Sequence, residues 1–149
     1  MTPYAIALPA RVEIGPGVAL RAPEAAAAFG RRVLRVTGAS PGRSAWLAEG
    51  LEALGCAVET VACPGEPTVA DAERAVAAAR AFRAEVVLAI GGGAALDLGK
   101  AVAGLMNEAG GPLDHLEVVG AGEPLSADPP PLIAIPTTAG TGAEATRNA

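Results

Sequence analysis

Short apolar runs alternate with longer segments that carry apolar residues at helical spacing. The runs are rich in Val, Ile, Leu and Ala and predict strands at 33–36, 57–62, 86–90 and 132–135. The segments between them predict helices at 18–29, 44–54, 69–82 and 94–106. Polar and apolar residues also alternate at 11–15, before Gly15-Pro16-Gly17, which predicts one more short strand and a turn. The pattern therefore predicts that strands and helices follow one another in turn.

This alternation is typical of an α/β fold. We expect a Rossmann-like, mostly parallel sheet with helices on both faces. Such folds bind ligands beyond the carboxyl ends of their strands. The loops 37–44, 91–97 and 136–146 follow three of the predicted strands and are rich in Gly, Ser and Thr. The sequence therefore predicts that these three loops converge on a binding cleft.

The most distinctive stretch is AEVVLAIGGGAALDLGK at 84–100, which indicates a strand, a glycine turn and a helix. Backbone N–H groups at a helix start, together with the helix dipole, suit a phosphate. The stretch matches neither common phosphate loop. Leu96 replaces the third glycine of G-x-G-x-x-G, and Ala94 and Ala101 replace two P-loop residues. Phosphate binding competes here with a plain strand-to-helix turn whose glycines serve only close packing.

Composition and charge narrow the possible functions. The chain has 149 residues, 51% of them hydrophobic, which suits one domain with a substantial core. A net charge of −5 argues against non-specific nucleic-acid binding. Residues 1–15 lack signal-peptide features, and no apolar run reaches the ~18 residues of a membrane helix, so we expect a cytoplasmic protein with no membrane partner. Cys56 and Cys63 are expected to be small buried residues.

Two further regions are informative by their composition. Residues 111–131 are rich in Gly, Pro and acidic residues, which predicts a surface loop. The chain stops at Ala149 without a helix stop or a linker. We therefore expect residues 1–149 to be one domain of a longer protein.

Two motifs together resemble the iron-containing (group III) alcohol dehydrogenases. GGGAALDLGKA at 91–101 is similar to that family's GGGSxxDxxKA. PLIAIPTTAGTGAEAT at 131–146 is close to its P-x-x-x-I-P-T-T-x-G-T-G-S-E-x-T. The opening VEIGPGV also resembles the start of these enzymes, so the resemblance spans nearly the whole chain. It implies the Rossmann-like N-terminal domain of that family, which is related to dehydroquinate synthase.

The resemblance implies two domains with different roles. The first domain binds NAD or NADP, and a helical second domain binds iron or zinc through one Asp and three His. The lone His115 has no partners at metal-ligand spacing and is expected to be a surface or capping residue, so we expect no metal ligand and no catalytic residue in this chain. The cofactor-binding positions carried over from the family are Gly38, Ser40, Gly91, Gly92, Gly93, Ala94, Asp97, Thr137, Thr138, Thr141 and Thr146.

Several of these positions have a purely structural alternative. Asp97 is expected in the first helical turn, where it could instead complement the helix dipole. Lys100 could simply pair with Asp97, and the threonines could satisfy backbone groups of their loop. Ala94 replaces the family's serine, which removes one hydroxyl donor. These alternatives concern side chains and do not affect the backbone N–H groups that could bind a phosphate.

The loop after the first long strand bears on cofactor choice. Many NAD-preferring members carry an acidic residue where this chain has Gly38, and an acid there would repel a 2′-phosphate. Ser40, Arg43 and Ser44 could donate to that phosphate. The sequence therefore favours NADP over NAD.

The resemblance implies metal-dependent oxidoreduction of a small alcohol or aldehyde by the complete protein, which could be a homodimer. We expect the 149-residue chain alone to be inactive. Maleylacetate reductase, a dehydroquinate synthase-like lyase and a non-catalytic nucleotide-binding module are the competing functions. Asp97 and the stretch AGTGAEAT at 139–146 favour the dehydrogenase.

Overall fold

A computed structural model describes residues 9–146 and places four parallel strands in one sheet. The strands are β1 (Arg32–Thr37), β2 (Ala57–Ala62), β3 (Val86–Gly91) and β4 (Leu132–Pro136). Their order in the sheet is β2-β1-β3-β4. The chain therefore adds β2 on one side of β1 and then crosses over to add β3 and β4 on the other side. This reversal creates a switch point between the carboxyl ends of β1 and β3.

Helices cover both faces of the sheet. They are α1 (Ala22–Ala27), α2 (Ala45–Ala53), α3 (Val69–Phe82), α4 (Gly93–Leu105) and α5 (Pro112–His115), with 3₁₀ turns at Val18–Arg21 and Pro41–Ser44. Apolar residues of α1 and α2 pack with Val33, Val86 and Leu88 on one face. Those of α3 and α4 pack with Leu34 and Val87 on the opposite face. The predicted parallel α/β sheet is confirmed, and within residues 9–146 no helix has the length and apolarity to cross a membrane.

The two central strands supply the middle of the core. Every residue of β3 is buried, as are all residues of β1 after Arg32. Small residues allow the helices to approach this layer closely. A Cβ built on Gly99 of α4 would lie 2.6 Å from the Cβ of Ala89 in β3, which is closer than side chains tolerate. The position therefore requires glycine for the packing of α4 on the sheet.

Side-chain hydrogen bonds satisfy backbone groups at the ends of two helices. Thr68 caps α3, and its hydroxyl and the Asp71 carboxylate form a reciprocal capping box. These bonds, chiefly those from Thr68, lower the pKa of Asp71 to about 2. At the other end of the same layer, the Arg80 guanidinium donates to the carbonyls of Leu105 and Met106 at 2.9 and 3.0 Å. Arg80 therefore satisfies carbonyls that the end of α4 leaves without helical partners.

The long loop after α4 is fastened to the domain by a buried carboxylate. Glu108 accepts hydrogen bonds from the backbone N–H of Ala127 at 2.6 Å, from the Ser126 hydroxyl at 2.9 Å and from the Ser126 N–H. The bond from Ala127 is the main cause that lowers the pKa of Glu108. The predicted surface loop at 111–131 is therefore held by Glu108, and Asn107 adds a bond to the Asp128 carbonyl at 2.8 Å. The loop also contains the short helix α5, which the sequence analysis did not predict.

Two predicted elements near the start of the chain are wrong in detail. Residues 11–15 form no strand, because Val12 and Ile14 are 66% and 91% exposed and no strand within residues 9–146 pairs with them. The single helix predicted at 18–29 is instead a 3₁₀ turn followed by α1. Pro23 lies at the start of α1, and its ring and missing N–H prevent a continuous helix through that position.

Substitution of Gly99 by Ala is expected to destabilise the protein by about 1–3 kcal/mol, because the added methyl group overpacks against Ala89. The matched control is Gly104→Ala in the same helix, where a Cβ would lie 3.3 Å from the Cδ1 of the exposed Leu125. That control should be neutral or stabilising by up to about 1 kcal/mol, since Ala favours helix. Urea unfolding measures both, and equal effects would contradict the packing argument.

Substitution of Glu108 by Gln is expected to lower the melting temperature at neutral pH, because the charge that strengthens three hydrogen bonds is lost. The lowered pKa means that the stabilisation is complete above the pKa of an unfolded Glu, about 4.3, and disappears as the pH falls through the folded value. The wild type and the variant should therefore converge in thermal melts as the pH is lowered from 7 to 3. A constant difference over that range would refute this role of the charge.

Candidate functional site

A cleft of about 620 Å³ opens at the switch point of the sheet. We call it the switch-point cleft. It is lined by residues 37–40 after β1, by 90–92 at the end of β3 and by 135–138 at the end of β4, together with Ala19, Arg43, Ser44 and Trp46. Its volume lies within the range of small-molecule sites. The predicted convergence of the three loops is confirmed for these segments.

Two adjacent glycines shape the floor of the cleft. A Cβ on Gly91 would lie 2.7 Å from the Cβ of Ala95 and 3.3 Å from the backbone N of Gly38. The strand ends can therefore come together only because residue 91 has no side chain. The backbone N–H of Thr137 donates to the Gly91 carbonyl at 2.8 Å, which joins the β4 loop to the same point. A Cβ on Gly92 would lie 3.3 Å from the Thr138 hydroxyl oxygen, so Gly92 also keeps space free.

The N-terminus of α4 begins at this floor. Gly92 is the N-cap of the thirteen-residue helix and offers no side-chain acceptor to its first N–H groups. The first turn contains no acidic residue. Within residues 9–146 no side chain caps this helix start, so its first N–H groups and the positive end of the helix dipole suit an external anion.

Asp97 lies beyond that first turn, so its predicted place there is wrong. The cause is that α4 already begins at Gly93, which puts Asp97 at the fifth helical position. Its carboxylate pairs with Lys100 at 2.7 Å, as predicted from their spacing, and Lys100 also donates to the Thr146 hydroxyl at 3.1 Å. The three side chains tie the end of the 136–146 loop to α4.

The structure divides the predicted cofactor residues between two sides of the α4 N-terminus. Those that line the switch-point cleft are Gly38, Ser40, Gly91, Gly92, Thr137 and Thr138. Those outside its lining are Gly93, Ala94, Asp97, Thr141 and Thr146. The two sets are continuous, because a Cβ on Gly93 would lie 3.7 Å from Thr141, next to the contact of Gly92 with Thr138. Asp97 lines a second groove of about 700 Å³ between α3, α4 and the 112–125 loop.

The charge of the cleft is set by one cation. Among the residues that the structure describes, Arg43 is the single charged side chain of the lining, which includes no carboxylate. Gly38 and Ser40 lie on the same loop as Arg43, and a Cβ on Gly38 would meet no atom within 4 Å. The end of the cleft beside β1 therefore suits an anionic group, although the whole chain carries a net charge of −5.

A buried arginine lies beneath this loop, and the sequence analysis did not single it out. Arg35 lies in the centre of β1 and is 6% exposed. Its Nη1 donates to the Ser44 carbonyl at 2.7 Å, and its Nε donates to the Thr60 hydroxyl at 3.2 Å. Burial lowers the pKa of Arg35, and the charge of Glu52 opposes this shift. The signal in the sequence was a lone cation within the apolar run Val33–Val36.

Trp46 and Ala19 also line the cleft without having been predicted. Trp46 lies in the first turn of α2, directly after the Pro41–Ser44 turn. Being the only tryptophan of the chain, it could have been noted from the sequence, whereas Ala19 carries no signal among so many alanines. Trp46 gives the β1 end of the cleft an apolar, half-buried wall.

The cysteines and the histidine take structural positions. Cys56 and Cys63 are unpaired and buried, as predicted, and burial raises the pKa of the Cys63 thiol. His115 Nδ1 lies 2.9 Å from the Glu123 carbonyl, so the ring braces the loop around it. Among residues 9–146, no group of three or more His, Cys, Asp and Glu is placed to hold a metal ion. The metal site of the resembled family therefore has no fit in this part of the chain.

Comparison with known proteins gives a consistent result. The family model for iron-containing alcohol dehydrogenases matches residues 9–149. Phosphonoacetaldehyde reductase of Streptomyces viridochromogenes is 41% identical over 121 residues, which are 77% of this chain and 30% of that protein. The probable alcohol dehydrogenase EutG of Escherichia coli is 41% identical over 106 residues, 70% of this chain and 26% of that protein.

Solved structures show the same fold. An alcohol dehydrogenase from Oenococcus oeni superposes with a TM-score of 0.84 at 27% identity, over 97% of this chain and 39% of that one. A sulfoacetaldehyde reductase from Bifidobacterium kashiwanohense in complex with NAD⁺ superposes with a TM-score of 0.81 at 28% identity, over 98% and 39%. The chain thus spans about a third of the length of these relatives.

Proposed function

The chain belongs to the iron-containing alcohol dehydrogenase family, and on that premise we propose that residues 1–149 are the NAD(P)-binding domain of an alcohol dehydrogenase or aldehyde reductase. The observation that carries the proposal is the α4 N-terminus, which opens without a side-chain cap onto a glycine-floored cleft at the switch point. Nucleotides bind at this place in open parallel sheets. A relative of the same fold was solved with NAD⁺.

Gly91, Gly92 and the first turn of α4 form a cradle of backbone groups. This cradle suits a pyrophosphate better than a site built from side chains would. The backbone around Gly91 and Gly92 leaves space that a Cβ would fill, and the first N–H groups of α4 supply donors without any cation. We assign cofactor contacts to both sides of this helix start. The proposed residues are Gly38, Ser40, Gly91, Gly92, Gly93, Ala94, Asp97, Thr137, Thr138, Thr141 and Thr146.

In this proposal the chain binds and orients the cofactor and contributes no metal ligand. The nicotinamide, when bound, supplies or accepts the hydride. A divalent metal, iron or zinc in our proposal, would be held by residues outside 9–146 and polarise the substrate oxygen. The substrate would be a small alcohol or aldehyde. Two relatives bear the names of aldehydes with an anionic group, phosphonoacetaldehyde and sulfoacetaldehyde.

We further propose that NADP is preferred over NAD. Gly38 places no carboxylate at the loop after β1, and Ser40 and Arg43 line the cleft beside it. Arg43 makes no ion pair with a described carboxylate, so its guanidinium is available to a 2′-phosphate. Charge-assisted bonds of this kind are the stronger hydrogen bonds in proteins.

Substitution of Gly92 by Val is expected to weaken the binding of NADPH and NADH alike by about tenfold or more, because the side chain occupies the space next to Thr138 that the pyrophosphate would need. The matched control is Gly65→Ala, outside the cleft, where a Cβ meets no atom within 4 Å. Nicotinamide fluorescence titration of the longest natural form of the protein measures both. Unchanged binding in Gly92→Val, with the fold intact by circular dichroism, would contradict the assigned cradle.

The wild-type protein is expected to bind NADPH more tightly than NADH. Substitution of Gly38 by Asp should lower the NADPH preference by at least about tenfold, since the carboxylate repels the 2′-phosphate and accepts from a ribose hydroxyl. A Cβ at residue 38 would meet no atom within 4 Å. Gly38→Asn is the matched neutral control and should shift the preference much less. Tighter NADH binding by the wild type would refute the NADP proposal, and binding of neither dinucleotide would refute the whole assignment.

A further inference from the structure

We infer that Arg35 is a positioning residue, which holds the Pro41–Ser44 turn, and with it Ser40 and Arg43, where a 2′-phosphate is recognised. The inference rests on the proposed NADP preference. Arg35 itself does not line the switch-point cleft. It would act through the Ser44 carbonyl, to which its Nη1 donates at 2.7 Å.

The guanidinium of Arg35 is buried in the sheet and forms no ion pair with a described carboxylate. Arg35 lies in the central strand β1, on the side of the sheet that also carries Val33 and faces α1 and α2. Its register partners are the exposed Thr60 in β2 and the buried Leu88 in β3, and Arg35 itself is 6% exposed. No described carboxylate lies within ion-pair distance of it. Burying a cation without an ion-paired anion is costly, and the charge of Glu52, which forms no ion pair with Arg35, offsets only part of that cost. Packing alone would therefore favour an apolar residue at this position.

Arg35 holds the Pro41–Ser44 turn through the Ser44 carbonyl. The Pro41–Ser44 turn is bonded within itself, since Arg43 N–H donates to the Ser40 carbonyl at 3.1 Å and the Ser44 hydroxyl donates to the Pro41 carbonyl at 3.2 Å. These two bonds join residues 40–44 into one hydrogen-bonded unit. The bond from Arg35 joins this unit to the rigid centre of the sheet. Because α2 follows directly at Ala45, the same bond also sets the place where that helix begins.

The restrained turn carries the residues proposed to distinguish NADP from NAD. Ser40 and Arg43 lie on the segment that the bond from Arg35 restrains, and both line the cleft. The glycine cradle at 91–92 lies between β3 and α4, whereas the side-chain bonds of Arg35 go to Ser44 and Thr60. Displacement of the turn should therefore weaken contacts to a 2′-phosphate and spare contacts to the pyrophosphate. The expected signature is a change in the ratio of the two affinities, because a general loss of stability would weaken both.

The test compares Arg35→Met, Arg35→Lys and Thr60→Val in the longest natural form of the protein. Dissociation constants for NADPH and NADH come from fluorescence titration, and folding is checked by thermal melts. Arg35→Met should reduce the preference for NADPH by about tenfold, with NADH binding nearly unchanged. Arg35→Lys, which can donate one bond to the Ser44 carbonyl, should reduce it by about threefold. Thr60→Val removes the other acceptor of Arg35 and should leave the preference unchanged.

Each other outcome has a definite meaning. A folded Arg35→Met protein that keeps the wild-type ratio, or weakens both dinucleotides equally, overturns the positioning role. If Arg35→Met does not fold, Arg35→Lys decides, and an unchanged ratio with a lower melting temperature reduces Arg35 to a structural residue. A wild type without NADPH preference overturns the NADP proposal and this inference together, and it is recognised before any variant is made.

Discussion

The close contact of two strand ends is the constraint on which the site depends. Gly91 ends β3 directly beside Gly38, which follows β1, and the start of α4 packs on the same point through Ala95. A side chain at residue 91 would have to displace either the helix or the neighbouring strand end. The loop after β4 is bonded to the Gly91 carbonyl through the N–H of Thr137. The ends of β1, β3 and β4 therefore all meet at the backbone of Gly91. The shape of the cleft and the direction of the α4 dipole follow from it.

Ionic side chains, two of them buried, hold irregular segments of this domain against the helices and strands. Glu108 fastens the long loop through Ser126 and Ala127, Arg80 closes the end of α4, and Arg35 holds the turn before α2. In each case the partners are chiefly backbone groups, which a loop cannot satisfy by itself. The charges therefore decide where loops lie, and the apolar layers decide where helices and strands lie.

The charge of the cleft differs in sign from that of the chain as a whole. The net charge is −5, whereas the cleft presents Arg43 and the positive end of α4. Charges further away than about 8–10 Å are largely screened at physiological salt. Anion binding in an acidic protein is thus governed by the few groups within that range, and overall composition only excludes partners with extended negative surfaces, such as nucleic acids.

Sequence reasoning was most accurate where a residue pattern extends over a whole element. The strands at 57–62 and 86–91 and the helix at 69–82 match prediction to within a residue. The strand at 86–91 is buried throughout and leaves a continuous apolar run, and the helix buries one stripe and leaves a periodic signal. It failed at 11–15, where Val12 and Ile14 alternate with polar residues but find no partner strand in the described chain. A strand needs its neighbour's hydrogen bonds, and these are not local information. The short helix α5 and the break at Pro23 were missed because each depends on single residues, which leave no extended pattern in the sequence.

The sequence by itself determined the α/β class, the glycine turn after β3 and the family to which the chain belongs, because each rests on residues that are close together in the chain. Only the tertiary structure decided which predicted residues share one cleft, that Asp97 faces a different groove, and that Arg35 reaches the turn that carries Arg43. The physical reason is the crossover between β2 and β3. It brings together strand ends that are more than fifty residues apart, and no local pattern records that distance in space.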